Sequence, residues 1–104
     1  MKASLPKVTI VAERLLKDRL IDLIREEGAT GFTVTAVEGE GSRGVRASDW
    51  EGRNVQIETI VSPAAADAIL EKLAAVYFED FAVIAWVSEV QVMRGHKFAN
   101  CDES

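Results

Sequence analysis

The sequence predicts an α+β sandwich, in which one antiparallel sheet carries two helices on a single face. Three observations predict it. Strand-like and helix-like segments follow one another in the order strand, helix, strand, strand, helix, strand. The two halves of that order resemble each other: Val8-Thr9-Ile10 answers Val55-Gln56-Ile57, and Phe32-Thr33-Val34-Thr35-Ala36-Val37 answers Phe81-Ala82-Val83-Ile84-Ala85-Trp86-Val87, at offsets of 47 and 49 residues. Finally, 104 residues with 48% hydrophobic content can bury one core but are too few for two ordinary domains. Residues 1–104 are therefore read as one domain, with a flexible loop at about 39–53 and a tail at about 99–104.

Lys7 to Glu13 alternates around Val8, Ile10 and Ala12 and reads as the first strand, and Arg14 to Glu27 carries Leu16, Leu20, Leu23 and Ile24 at helical spacing. Gly28 stands where a helix C-cap belongs. Phe32 to Val37 is the second strand. Glu38 to Arg53 holds Gly39, Gly41, Gly44 and Gly52 among mixed charges, with no apolar period, and reads as a long loop. Val55 to Val61 resumes as a strand and ends at Ser62-Pro63, a cap residue followed by the residue suited to the first helical position. Ile69, Leu70, Leu73 and Tyr77 mark the second helix, and Phe81 to Val87, continued by Glu89 to Met93, is the last strand.

Two strand-helix-strand units in tandem make a ferredoxin-like βαββαβ sandwich. A sheet with one wet face should alternate, yet Phe81 to Val87 holds no polar residue, which argues for burial on both sides. Since both helices lie on one face, the other is expected to pack on further copies of the chain in a closed, cyclic homo-oligomer.

The 12 basic against 17 acidic residues give a formal charge of −5, which disfavours electrostatic binding of nucleic acid and of anionic membrane alike. Glu13 and Arg14 interrupt the first apolar run, so no signal-peptide core can be drawn there. The longest apolar run, Phe81 to Val87, falls far short of the roughly 18 residues of a membrane span. A cytoplasmic protein without membrane insertion is expected. Cys101 is the only cysteine, which excludes an intrachain disulfide.

The loop from Glu38 to Arg53 is longer than most connections in a compact domain. Charge alone is consistent with a solvated insertion. Gly39-x-Gly41-Ser42-Arg43, however, follows directly on a strand and lets backbone N–H groups converge into an anion-binding nest. Arg43 and Arg46 add two permanent cations with the fork geometry that suits phosphate. The spacing matches neither a P-loop nor a dinucleotide fingerprint, so a binding loop is indicated without phosphotransfer machinery.

Other candidates have ordinary readings. His96 and Cys101 lie five apart with no second nitrogen or sulfur ligand nearby and fit no standard zinc pattern. Glu13 and Glu58 invite a paired-carboxylate reading, but glutamates at strand edges are mostly solvated. Trp50 in the loop suits stacking or local packing, and Trp86 suits core or a subunit interface.

The run Gly28-Ala29-Thr30-Gly31-Phe32-Thr33-Val34-Thr35-Ala36-Val37-Glu38-Gly39-Glu40-Gly41 resembles the stretch of PII signalling proteins that leads from the first helix into the T-loop. Gly39-x-Gly41-Ser42-Arg43-x-Val45-Arg46, Tyr77-Phe78-x-Asp80 and Gly95-His96-x-Phe98 resemble the SbtB-type branch, whose members accompany bicarbonate transport or carboxysomes. The resemblance spans roughly Val8 to Phe98. It implies a homotrimer with adenine-nucleotide sites between subunits and no catalysis. By motif, Gly39, Gly41, Ser42, Arg43 and Arg46 would hold phosphates, while Thr33 and Glu58 would lie against ribose or adenine.

The glycine- and lysine-bearing B-loop of nitrogen-signalling PII proteins is absent between Tyr77 and Phe81, which points to AMP, cyclic AMP or ADP rather than ATP. The T-loop tyrosine has no counterpart, and the tail keeps one cysteine rather than the bracketing pair of a redox latch. The resemblance implies as partners an adenine nucleotide, with bicarbonate as a further candidate ligand, and a bicarbonate transporter or carboxysome-associated protein. The same architecture also suits a metal-responsive CutA-like trimer or a small phosphatase-like enzyme.

Overall fold

The structure, a computed structural model, describes residues 2–38 and 54–93. Strand β1 (Lys2–Glu13) leads through a single 3-10 turn (Arg14–Leu16) into helix α1 (Lys17–Glu26). Strands β2 (Thr33–Val37) and β3 (Asn54–Ile60) follow, then helix α2 (Pro63–Val76) and strand β4 (Ile84–Met93). The strands form one antiparallel sheet in the order β2-β3-β1-β4, the topology expected of two strand-helix-strand units.

Local signals end the helices where the sequence places them. Gly28 adopts φ 114°, and the Gly28 N–H bonds the Arg25 carbonyl while the Ala29 N–H bonds the Ile24 carbonyl. This is a Schellman closure, and its left-handed residue is a glycine because a Cβ would be strained there. At α2, the Ser62 hydroxyl accepts from the Ala65 N–H at 3.2 Å, and Pro63 occupies the first turn.

Alternation along the strands sends one set of side chains under the helices. Val8, Ile10 and Ala12 of β1 join Val55 and Ile57 of β3, and they meet Leu20, Leu23 and Ile24 of α1 and Ala66, Ile69 and Leu73 of α2. These residues make one continuous core. The opposite face of the sheet is uncovered by any described element. By register it carries Val11, Thr9 and Lys7 of β1, Gln56 and Glu58 of β3, and Ile84, Trp86 and Ser88 of β4.

Three boundaries differ from expectation. The helical run opens at Arg14 as a single 3-10 turn and becomes α1 only at Lys17. β1 starts at Lys2 rather than Lys7, because the continuation of β4 to Met93 gives residues 2–6 a pairing partner. The apolar run Phe81 to Val87 is two elements, not one. The Phe81 N–H bonds the Tyr77 carbonyl and the Val83 N–H bonds the Phe81 carbonyl, a turn that packs Phe81 and Val83 into the core before β4 begins at Ile84. The missing alternation therefore records a core-filling turn joined to a strand rather than a strand buried on both faces. Within β4, Ile84, Trp86 and Val87 are 59%, 46% and 41% exposed in the single chain. Among the described residues no helix is long and apolar enough to cross a membrane.

Candidate functional site

The segment from 39 to 53 leaves and re-enters the sheet at one point. Val37 at the end of β2 pairs directly with Asn54 at the start of β3, so the ends of the segment are held on adjacent strands. Four residues back from this base, Thr33 of β2 stands directly opposite Glu58 of β3. At the rise of an antiparallel strand, that is about 13 Å from the root of the segment. The structure thus brings together two of the expected site residues, on the uncovered face and beside the origin of the loop that carries the others. Gly39, Gly41, Ser42, Arg43 and Arg46 lie outside the described residues, as do Trp50, His96 and Cys101.

Glu58 is not simply solvated. Its Oε2 lies 3.1 Å from Lys7 Nζ, with the two side chains 29% and 30% exposed. Lys7 stands two residues before Thr9 on β1, and Thr9 is paired with Glu58 on one side and with Trp86 on the other. A single row therefore crosses all four strands: Thr33, Glu58, Thr9, Trp86. Thr9 is 1% exposed, and its hydroxyl has no hydrogen-bond partner among the described residues.

The approach to Thr33 is fixed from the other side of the sheet. Thr59, buried under the helices, donates its hydroxyl to the Gly31 carbonyl at 2.7 Å, and the Arg25 guanidinium lies 5.2 Å from the ring centroid of Phe32. A cation over an aromatic face is attractive. Together these contacts hold Gly31 and Phe32 at the entry to β2.

Glu13 and Glu58 are not a carboxylate pair. Glu13 is opposite Asn54 and Glu58 is opposite Thr9, which separates them by four residues along β1. Tyr77 is buried at the end of α2 with its ring centroid 5.6 Å from that of Phe81, a packing role. Among the described residues no group of three or more His, Cys, Asp or Glu side chains is placed to hold a metal ion.

Sequence reasoning missed Lys7, Thr9 and Thr59. The alternation Lys7-Val8-Thr9-Ile10-Val11 carried a usable signal, since it puts Lys7 and Thr9 on the face opposite Val8 and Ile10. Nothing local joins Lys7 to Glu58 or Thr59 to Gly31; those pairs exist only through strand register and the turn into β2.

Comparison with known proteins places this geometry among relatives. The family model for nitrogen regulatory protein P-II matches residues 5–97. A protein from Thermus thermophilus, described as PII-like signalling, is 50% identical over 93% of this chain and 97% of its own, with a TM-score of 0.82. CPII from Thiomonas intermedia, solved with ADP, AMP and acetate, is 26% identical over 96% of this chain and 99% of its own, with a TM-score of 0.84. The same protein solved with ADP and bicarbonate covers 94% of this chain and 97% of its own at 26% identity and a TM-score of 0.82.

Proposed function

The chain belongs to the nitrogen regulatory protein P-II family, and on that premise we propose that it is a non-catalytic sensor, a homotrimer that binds an adenine nucleotide between its subunits and reports occupancy through the segment from 39 to 53. The observation that carries this reading is the Thr33–Glu58 pair, directly opposed on the two strands that launch and receive that segment. A hydroxyl and a carboxylate suit the hydroxyls of ribose and the edge of adenine. The glycines and arginines of the segment suit the phosphate end. CPII, solved with ADP, AMP and bicarbonate, supports the same ligand classes.

Nucleotide phosphates would neutralise Arg43 and Arg46, order the base of the segment and change the surface shown to a partner protein. Ligand and partner then affect each other's affinity reciprocally. In this reading the protein works in the cytoplasm and its partner acts in inorganic-carbon metabolism, a transporter or a carboxysome-associated protein, as in the SbtB-type branch. Bicarbonate is either a co-ligand or the quantity the partner handles.

The test is calorimetry of AMP, cyclic AMP, ADP and ATP, each with and without bicarbonate. Removing one charged hydrogen-bonding partner costs about 1.5–3 kcal/mol, roughly ten- to a hundredfold in affinity. Arg43→Ala and Arg46→Ala are each expected to weaken AMP and ADP by that factor. Parent-like binding in both variants would remove the phosphate assignment, and a parent that binds none of the four nucleotides would remove the sensor reading itself.

A further inference from the structure

Glu58 is approached from both neighbouring strands. Thr33 of β2 stands directly opposite it, while Lys7 of β1 reaches it on a diagonal. In register Lys7 pairs with Ile60, so it stands two residues beyond Glu58 as measured from the root of the 39–53 segment. That is about 7 Å along the strand. Long side chains on one face of adjacent antiparallel strands can meet across such a diagonal. These two do, with Lys7 Nζ 3.1 Å from Glu58 Oε2.

The contact does two things to the carboxylate. A free glutamate samples several rotamers, and fixing such a side chain when a ligand binds lowers the affinity. The Lys7 ammonium holds one carboxylate oxygen before any ligand arrives, so part of that ordering is already complete in the fold. Charge is the second effect. An uncompensated carboxylate disfavours an anionic ligand, and among the described residues Lys7 is the only cation within ion-pair distance of Glu58. With its charge compensated, the carboxylate still accepts hydrogen bonds from donors. The side chains are 30% and 29% exposed, open enough for a ligand to reach them yet too exposed for the pair to add much stability.

We propose that Lys7 is a positioning residue for the nucleotide: by holding Glu58 Oε2 it fixes the carboxylate that accepts from the sugar or base, and it acts through Glu58 rather than by touching the ligand. This role rests on the nucleotide-sensor reading and adds to it a residue that no sequence motif marks. Lys7 stands on the far side of Glu58 from the loop root, so the carboxylate is held at the end of the site remote from the phosphates assigned to the loop.

A double-mutant cycle tests the role. Calorimetry with ADP and with AMP is carried out on the full-length parent, Lys7→Met, Lys7→Arg, Glu58→Gln and the Lys7→Met/Glu58→Gln double variant, with urea unfolding of each. Lys7→Met is expected to unfold like the parent and to bind both nucleotides about two- to tenfold more weakly. Lys7→Arg, which keeps the charge, should recover most of that loss. Glu58→Gln is expected to weaken binding by about tenfold. Adding Lys7→Met to it should then cost nothing further, because Lys7 has no carboxylate left to hold. Parent-like affinity of Lys7→Met overturns the positioning role while leaving the Glu58 assignment standing. Equal losses from Lys7→Met in both backgrounds also overturn it, since Lys7 would then act independently of Glu58. A Lys7→Met chain markedly less stable in urea overturns it too, because the ion pair would belong to the fold. Parent-like affinity of Glu58→Gln removes the Glu58 assignment and the role of Lys7 with it, and a parent that binds neither nucleotide removes the sensor reading itself.

Discussion

The Thr59 hydroxyl reaches the Gly31 carbonyl at 2.7 Å, and this one hydrogen bond ties together both strands of the candidate nucleotide site. Thr59 follows Glu58 directly, and Gly31 stands two residues before Thr33. Thr59→Val keeps the volume but leaves the Gly31 carbonyl without its donor, so a loss of about 1–3 kcal/mol of stability is expected in urea unfolding. Nucleotide affinity should fall as well, because the turn that leads into Thr33 is less firmly held, although the ladder still sets Thr33 opposite Glu58. Thr59→Ser should recover both. Recovery of stability without recovery of affinity would mean that the bond supports the fold and does not position the site.

Gly28 has φ 114°, in the region that L side chains rarely adopt. A Cβ added there would meet only the Ala65 Cβ at 3.7 Å, an ordinary contact, so space does not forbid alanine. The cost of Gly28→Ala is therefore backbone strain alone, about 1–2 kcal/mol, read as a lower urea midpoint at unchanged slope. A variant as stable as the parent would show that the closure of α1 relaxes at no cost.

Lys72 on α2 joins the two helices: its Nζ lies 2.8 Å from Glu27 Oε2 and 3.4 Å from Glu26 Oε1. The hydrogen bond to Glu27, with further support from the Glu26 and Glu27 charges, raises the Lys72 pKa above its ordinary value of 10.5, against an opposing desolvation effect. A base with a raised folded pKa adds stability that is fully present below its unfolded pKa. That stability disappears as the pH climbs through the folded value. The parent should thus lose part of its thermal stability above about pH 10.5, and Lys72→Met should lose less over the same range. The group is exposed, so the effect should be small and should shrink in high salt. Identical alkaline profiles for the two proteins would show that the bridge contributes nothing.

Local signals were legible in the sequence wherever neighbours along the chain settle the outcome. Ser62-Pro63 opens α2 and Gly28 closes α1, because capping depends on residues three or four apart. Val55, Ile57 and Thr59 alternate toward the helices as a half-buried strand requires. The repeat of two strand-helix-strand units was also visible, and with it an antiparallel sheet packed on both helices.

The run Phe81 to Val87 misled because composition does not reveal where a turn stops and a strand starts. Phe81 and Val83 are apolar to fill the core, whereas Ile84 and Trp86 are apolar on a face that the single chain leaves open. Residues 2–6 were similarly unreadable, since their partners, Glu89 to Met93, lie at the far end of the described chain.

What neighbours along the chain settle is the α+β order, the close of α1 at Gly28, the opening of α2 at Ser62 and the core stripes, while the nucleotide-sensor expectation comes from the family resemblance. Strand alignment alone sets Thr33, Glu58, Thr9 and Trp86 in one row across four strands, brings Lys7 to Glu58, and buries Thr9 without a partner among the described residues. The physical reason is register. Caps and alternation are set by the chain's own next few residues, but the neighbours of a sheet residue are set by how distant strands align, and a slip of one residue would turn every one of these side chains to the other face.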